Sequence, residues 1–302
     1  MYKRLPIVLI VLFFLSLSAT SSVLWRVSRG PEQPVSYLFG TEHILPDYFF
    51  PDRARQALDS CDAMVCEVDI KDIAQSAGYI TDCMLLTDGL TLQDIFSQEQ
   101  LDSIDAVFRT IMLGAPEISV TQMMATAKPA AITLQLQMLL SQCVIGPHSG
   151  PSLDGAVQQI AAESGKPLKG LETARFQIDL LFSQPVEDMA ADLMEIVRDP
   201  EAFREQLSEL TDCYLAGNLQ CLESIMNDAT RASAFADALI VERNRAWMSQ
   251  LPEIIDSTSA FIAVGAAHLV GPEGLIALLR EAGYTVEETD CSFDTILKRF
   301  SR

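Results

Sequence analysis

Two of the three histidines in this chain occupy the same local pattern. His43 and His268 each stand three residues after a glycine, Gly40 and Gly265, and each glycine ends an apolar run. Ligands of open α/β sheets gather outside the carboxyl ends of strands, where imidazole serves as a metal ligand or as a general base. The pattern predicts that both histidines face one cleft. Spacing alone leaves open that each is an ordinary surface or hydrogen-bonded histidine.

Two carboxylates also lie where apolar runs end. Glu67 closes the run that begins at Ala63, and Glu172 directly follows Leu171. Beside a metal, a carboxylate can be a ligand or the general base for a water molecule, whose pKa falls to ~7 in favourable zinc sites. Both are therefore candidate catalytic residues, and Glu67 is also a candidate metal ligand. Taken singly, such an acidic residue is more often a helix cap or a solvent-exposed residue at the end of a strand.

A basic and an amide side chain precede the last long apolar run. Arg243 and Asn244 lie in a segment with helical periodicity, and they could hold a substrate or a developing oxyanion. The alternative is that Arg243 forms a surface ion pair on its helix with Glu242 or a neighbour. The third histidine, His148, lies among glycine, proline and serine residues, which predicts an exposed loop.

The elements that must position these residues follow from hydrophobic periodicity. Short strand-like runs occur near both ends of the chain, and long segments with helical spacing lie between them. One sheet that joins both ends would satisfy the strand edges. The sequence predicts an α/β (α+β) fold with a mixed central sheet and a helical layer or lid over about 85–258. The predicted strands are 22–28, 35–39, 63–68, 166–171, 260–266 and 284–289.

Composition narrows the classes of protein and of partner. Hydrophobic residues make up 49% of the 302 residues, which is enough for a sizeable core and excludes a disordered chain. The 41 acidic residues outnumber the 21 basic ones and give a formal charge of −20. Such a charge repels a phosphate backbone, so nucleic acid is not expected as a partner.

The first residues have the order of a secretory signal. Lys3 and Arg4 precede an apolar run that is too short to span a bilayer, and small residues follow it. We predict a signal peptide over 1–21 and an exported protein, periplasmic or secreted. The alternative is an uncleaved segment, which would then be the only membrane contact. Of the seven cysteines in an oxidising compartment, Cys213 and Cys221 are the closest candidates for a pair.

Several motifs together resemble the TraB/GumN family, which includes the Tiki-type proteases. Gly40-Thr41-Glu42-His43 resembles the N-terminal signature of the family, and Gly265-Ala266-Ala267-His268 resembles the C-terminal one. Ser152-Leu153-Asp154-Gly155, together with Gly170-Leu171-Glu172-Thr173, resembles the middle motif of the family. Arg243-Asn244 resembles a pair of residues that the family carries on a helix. The order and spacing of these motifs extend over nearly all of residues 22–302, which indicates a single family domain.

The resemblance implies an α/β fold with a metal-dependent hydrolytic centre. Tiki-type members are described as Mn- or Co-dependent peptidases that act on the N-termini of extracellular proteins. Other branches have no assigned substrate, or are associated with the shutdown of a peptide pheromone. The matching positions in this chain are His43, Glu67, Glu172, Arg243, Asn244 and His268.

The leading hypothesis is an exported, metal-dependent hydrolase that acts on a peptide or protein. His43, His268 and Glu67 would bind a divalent metal, either Mn, Co or Zn. One alternative is a metal-independent hydrolase that uses a histidine as general base. Another is a non-catalytic protein that binds or sequesters a peptide. The chain lacks the G-x-S-x-G motif of the ordinary serine hydrolases.

Overall fold

The structure is a computed structural model, and it describes residues 22–112, 119–230, 234–293 and 296–297. Its centre is a six-stranded mixed sheet with the strand order β4-β3-β5-β2-β1-β6. The predicted fold class is therefore confirmed. The strands are β1 (Leu24–Ser28), β2 (Ser36–Thr41), β3 (Ala63–Cys66), β4 (Leu168–Gly170), β5 (Ala260–Gly265) and β6 (Thr285–Thr289).

Parallel pairing brings strands from both ends of the chain side by side. In β2 and β5, Phe39 is opposite Ala263 and Thr41 is opposite Gly265. On the other side of β5, Cys66 of β3 is also opposite Ala263. The carboxyl ends of these three strands consequently lie at one edge of the sheet. The segments that follow them carry His43, Glu67 and His268.

The remaining strands extend the sheet on both sides of these three. A hairpin pairs β1 with β2, and β6 pairs antiparallel with the outer side of β1. All six residues of β5 are buried, as expected for a central strand that is covered on both faces. Phe39, Phe50 and Phe261 pack together beside it, with ring centroids 5.7–6.4 Å apart. The strands that carry the site thus rest on a closely packed core.

Helices occupy most of the chain between β3 and β5, and they also lie before β3 and after β5. The helices as far as β4 are α1 (Asp52–Ser60), α2 (Ile70–Gln75), α3 (Ala77–Cys83), α4 (Leu92–Ile95), α5 (Gln98–Ile111), α6 (Val120–Met123), α7 (Pro129–Ile145) and α8 (Leu153–Glu163). Those after β4 are α9 (Ala174–Leu181), α10 (Val186–Arg198), α11 (Pro200–Leu215), α12 (Leu219–Thr230), α13 (Ala234–Asp237), α14 (Arg243–Met248), α15 (Leu251–Ser257) and α16 (Leu275–Glu281). A π-helical turn, Ala238–Glu242, joins α13 to α14.

The helical middle has an apolar core of its own. Buried residues of α5, α7 and α10, such as Ile104, Leu136 and Leu193, form a cluster that is separate from the cluster around the sheet. Side-chain caps define where several of these helices begin. Ser97 caps α5 in a capping box with Gln100, and Ser152 accepts a hydrogen bond from Gly155 at the start of α8. The capped start of α8 is important for the site.

The cysteines and the apolar segments bear on the predicted export. Cys213 and Cys221 form a disulfide, as the sequence predicts. Cys66 is buried, and burial raises the pKa of its thiol to about 12. The predicted signal peptide lies outside the described residues. Within the described ranges, no helix has the length and apolar character needed to cross a bilayer.

Candidate functional site

The two sequence-predicted histidines and Glu67 surround one point above Gly265. The backbone N–H of Gly265 donates a hydrogen bond to Oε1 of Glu67 at 2.7 Å. A β-carbon added to Gly265 would lie 3.3 Å from this oxygen, 3.3 Å from Nε2 of His43 and 3.7 Å from Cδ2 of His268. Because glycine has no side chain, a gap remains where these three groups meet. We call it the Gly265 gap.

The ring of His268 is buried and held at both nitrogens. Nδ1 lies 2.7 Å from Oδ1 of Asn244, and Nε2 lies 3.0 Å from Nη1 of Arg243. A guanidinium group can only donate hydrogen bonds, so Nε2 accepts and Nδ1 carries the proton. This assignment makes the ring neutral. It agrees with the direction of the pKa of His268, which burial and the nearby Arg243 charge lower despite the opposing effect of Glu67.

Arg243 joins the two candidate glutamates in the interior. Its Nη2 lies 2.5 Å from Oε2 of Glu67 and 2.6 Å from Oε1 of Glu172. Its Nε also donates to Glu172, and its Nη1 donates to the carbonyl of Leu239 as well as to His268. All five donors of the guanidinium are thus engaged. With 6% of its surface exposed, Arg243 does not form the surface ion pair that was the alternative.

The charges around Glu67 determine its protonation state. Burial by itself would raise the pKa of Glu67, but the positive side chains around it and the Gly265 N–H hold this pKa well below its usual range. Glu67 is therefore ionised at neutral pH. One oxygen is fixed by Arg243, and the other lies at the Gly265 gap.

His43 is the part of the cluster that solvent reaches. Its side chain is 64% exposed, whereas those of Glu67, Glu172, Arg243 and His268 are 3–10% exposed. Nδ1 of His43 lies 2.8 Å from Oδ2 of Asp154. The charge of Asp154 raises the pKa of His43, although desolvation opposes this effect. Of these five side chains, that of His43 is therefore the most accessible to a ligand from solvent.

Asn244 lies behind His268 and away from the Gly265 gap. It is fully buried, and its Nδ2 donates to the carbonyl oxygens of His268 at 3.1 Å and Glu273 at 2.8 Å. Together with the bond to Nδ1, these contacts fix both the ring and the turn that carries it. Both polar atoms of the Asn244 amide are thus bonded within the protein.

Sequence reasoning assigned no role to three further residues of the cluster. Gln177 donates to both glutamates at 3.2 Å, and Trp247 donates to Oε2 of Glu172 at 3.1 Å. Asp154 lies within Ser152-Leu153-Asp154-Gly155, the segment similar to the middle family motif, but nothing in the pattern connects it to His43. Gln177 and Trp247 carry no local signal, because an amide or indole on a helix is usually an ordinary packing or surface residue.

The donor types at the Gly265 gap suit a divalent transition metal, although the arrangement is incomplete. Imidazole and carboxylate are ligands of Mn, Co and Zn, and His43 Nε2 and Glu67 Oε1 both lie at the gap. His268 Nε2 is instead bonded to Arg243. Among the described residues, no group of three or more His, Cys, Asp or Glu side chains is arranged to hold a metal ion.

The size of the Gly265 gap yields a first prediction. In Gly265→Ala, the new methyl group would lie 3.3 Å from both His43 and Glu67, which is closer than ordinary packing allows. Since His43 is exposed and Glu67 is fixed, we expect His43 to move outward. Thermal unfolding should change little, because Gly265 has an ordinary negative φ of −52°. Histidine NMR signals should show a displaced His43; unchanged signals would contradict the geometry of the gap.

Comparisons with known proteins identify the family of the chain. A model of the TraB/PrgY/gumN family matches residues 23–288. Metalloprotease TIKI2 of Danio rerio is 23% identical over 319 residues, which cover 89% of this chain and 61% of the relative. Metalloprotease TIKI1 of the same species is 22% identical over 320 residues, which cover 90% of this chain and 64% of the relative.

The matches to these relatives are distant and partial. Metalloprotease TIKI1 of Xenopus tropicalis is also 22% identical, over 330 residues that cover 90% of this chain and 62% of the relative. This chain thus spans about three fifths of the length of the curated relatives it matches. No solved structure matches the chain significantly. Because the family model covers most of the sequence, the chain belongs to the TraB/PrgY/gumN family.

Proposed function

We propose that the protein is an exported, metal-dependent hydrolase that cleaves a peptide or protein. The observation that carries this proposal is the convergence of His43 Nε2 and Glu67 Oε1 on the Gly265 gap, 3.3 Å from the same point. The distant relatives that are named metalloproteases support it. Because the match spans only part of those relatives, peptidase activity of this chain is a proposal.

His43 and Glu67 would hold the metal, either Mn, Co or Zn. His268 would join them only if its Nε2 gave up the hydrogen bond from Arg243. When bound, the metal would polarise the scissile carbonyl group and lower the pKa of a water molecule. Glu67 is ionised and keeps Oε1 at the gap, so this oxygen would be either a ligand of the metal or the general base for the water molecule, not both.

The other predicted site residues fix these groups in place. All five donors of Arg243 and the whole amide of Asn244 are already bonded within the protein. We therefore assign Arg243 and Asn244 to positioning Glu67 and His268, and not to binding the substrate as the sequence suggested. Glu172 anchors Arg243 from the other side.

The location and the partner follow from charge and from the first residues. Residues 1–21 have the pattern of a secretory signal, so we propose a periplasmic or secreted protein that touches a membrane only if this segment is retained. The formal charge of −20 favours basic peptides over acidic ones and disfavours nucleic acid.

The test combines metal analysis with cleavage of a peptide library. We expect the purified protein to bind a divalent metal, to release peptide fragments detected by mass spectrometry, and to lose both properties in His43→Ala. His148→Ala is the matched control: His148 lies in the loop after α7, where its Nδ1 is 3.3 Å from the carbonyl oxygen of Gly146, and its replacement should leave both properties unchanged.

Other outcomes separate the alternatives. Cleavage that survives a chelator but is lost in His43→Ala would identify a metal-independent hydrolase. Peptide binding without any product would identify a non-catalytic binding protein. Either result would refute the metal-dependent reaction.

A further inference from the structure

The carboxylate of Asp154 contacts two side chains near the end of strand β2. One is Thr41, the last residue of the strand, and the other is His43, two residues further on. Oδ2 of Asp154 lies 2.8 Å from Nδ1 of His43, and its Oδ1 accepts a hydrogen bond from the Thr41 hydroxyl. Both carboxylate oxygens are thus occupied by residues of the same Gly-Thr-Glu-His turn. Among the described residues, Asp154 is the one hydrogen-bond partner of the His43 ring.

The backbone holds Asp154 at a fixed distance from that turn. Asp154 lies in the first turn of α8, which Ser152 caps. The N–H of Leu153 donates to the carbonyl of Leu45 at 2.7 Å, and Pro46 pairs with Ser152 in an isolated β-bridge. The segment after His43 is therefore bonded to the start of α8. The N-terminal end of a helix also favours a negative charge at this position.

Without Asp154, little would orient the His43 ring. The side chain is 64% exposed, so packing restrains it weakly. The bond at Nδ1 turns the opposite nitrogen, Nε2, towards the Gly265 gap, where it lies 3.3 Å from the position of a β-carbon on Gly265. Carboxylates that hold metal-binding histidines in this way are commonly worth 10–100-fold in metal affinity.

We propose that Asp154, itself held by Thr41, is a positioning residue that fixes the His43 imidazole with Nε2 directed into the Gly265 gap. Its effect on metal affinity rests on the function proposed above. Its effect on the ring does not, since the hydrogen bonds are present in the protein alone. The two consequences can be measured separately.

The experiment uses the full protein with 15N-labelled histidine, in which only three rings contribute signals. We expect a hydrogen-bonded Nδ1 proton of His43, assigned by its loss in His43→Ala, that disappears in Asp154→Ala. Asp154→Asn keeps an oxygen acceptor and should retain the signal in part. Asp256→Ala is the matched control, because Asp256 pairs with Arg29 at 2.7 Å elsewhere on the surface.

Titration with Mn²⁺ is the second readout. The dissociation constant should rise about 10–100-fold in Asp154→Ala, less in Thr41→Val, and not in Asp256→Ala. An Asp154→Ala protein that folds and keeps the Nδ1 signal and the wild-type affinity would overturn the inference and leave the proposed function standing. If the wild-type protein binds no Mn²⁺, the proposed function fails for this metal, and the Nδ1 signal alone decides the role of Asp154.

Discussion

Replacing Arg243 with methionine should destabilise the protein by about 3–5 kcal/mol at neutral pH, because two buried carboxylates would lose their shared counter-charge. Arg243 contacts Glu67 and Glu172 at 2.5 and 2.6 Å, and all three side chains are at most 10% exposed. Arg243→Lys should fall between the wild type and Arg243→Met, since an ammonium group keeps the charge but has fewer donors. Equilibrium unfolding in urea measures these differences.

A matched control lies on the same helix. Arg245 pairs with Glu273 at 2.9 Å, but the two side chains are 61% and 40% exposed. Exposed ion pairs contribute about 0–1 kcal/mol, so Arg245→Met should cost no more than that. Equal losses in the two variants would show that burial of the Arg243 cluster has no energetic consequence.

The loss of folding stability in Arg243→Met should depend on pH. In the wild type, the lowered pKa of Glu67 contributes stability that is present above its unfolded pKa of about 4.3 and is lost as the pH falls. In the variant, buried carboxylates without a counter-charge have raised pKa values, so the folded variant loses stability as the pH rises. The difference between the two proteins should shrink from neutral pH towards about pH 4. A difference independent of pH would contradict the ion-pair explanation.

Removing the Trp247 side chain should have an effect of similar size. Trp247 is 1% exposed, and its ring centroid lies 4.4 Å from that of His268. We expect Trp247→Ala to cost about 3–5 kcal/mol through the cavity it leaves. Trp247→Phe keeps most of the volume but removes the donor to Glu172, which should cost about 1–3 kcal/mol.

The other tryptophan provides a control for the site. Trp25 is also buried and donates to the carbonyl of Ser22 at 3.1 Å, so Trp25→Phe should likewise destabilise the protein. Only the Trp247 variants should shift the NMR signals of the His268 ring, because Trp247 lies against that ring. Unchanged His268 signals in Trp247→Phe would contradict the contact.

Local sequence patterns were sufficient to predict the strands and the candidate site residues that follow their carboxyl ends. Apolar runs that end in Gly40 and Gly265 predict strands, and the histidines that follow them are found at one sheet edge. Strand limits differ by a few residues: the strand predicted over 63–68 ends at Cys66, and Glu67 follows it. Parallel pairing of β2 with β5 joins residues more than 200 positions apart, which no local pattern specifies.

The surroundings of each side chain could not be predicted for the same reason. An arginine on a helix is usually solvated, and Glu67 is 176 residues away from Arg243 in the sequence. Asp154 is 111 residues away from His43. Burial of Arg243 and the orientation of His43 therefore arise from packing between distant segments. These contacts support the proposal that Arg243 and Asn244 position Glu67 and His268.

Anomalous diffraction from crystals soaked in Mn²⁺ tests the central claim most directly. We expect one strong peak in the Gly265 gap, within ligand distance of His43 Nε2 and of the Glu67 carboxylate. The peak should be absent from crystals of Gly265→Ala. Manganese bound only elsewhere, or a wild-type gap with no peak at saturating Mn²⁺, would contradict a metal centre formed by the ends of β2, β3 and β5.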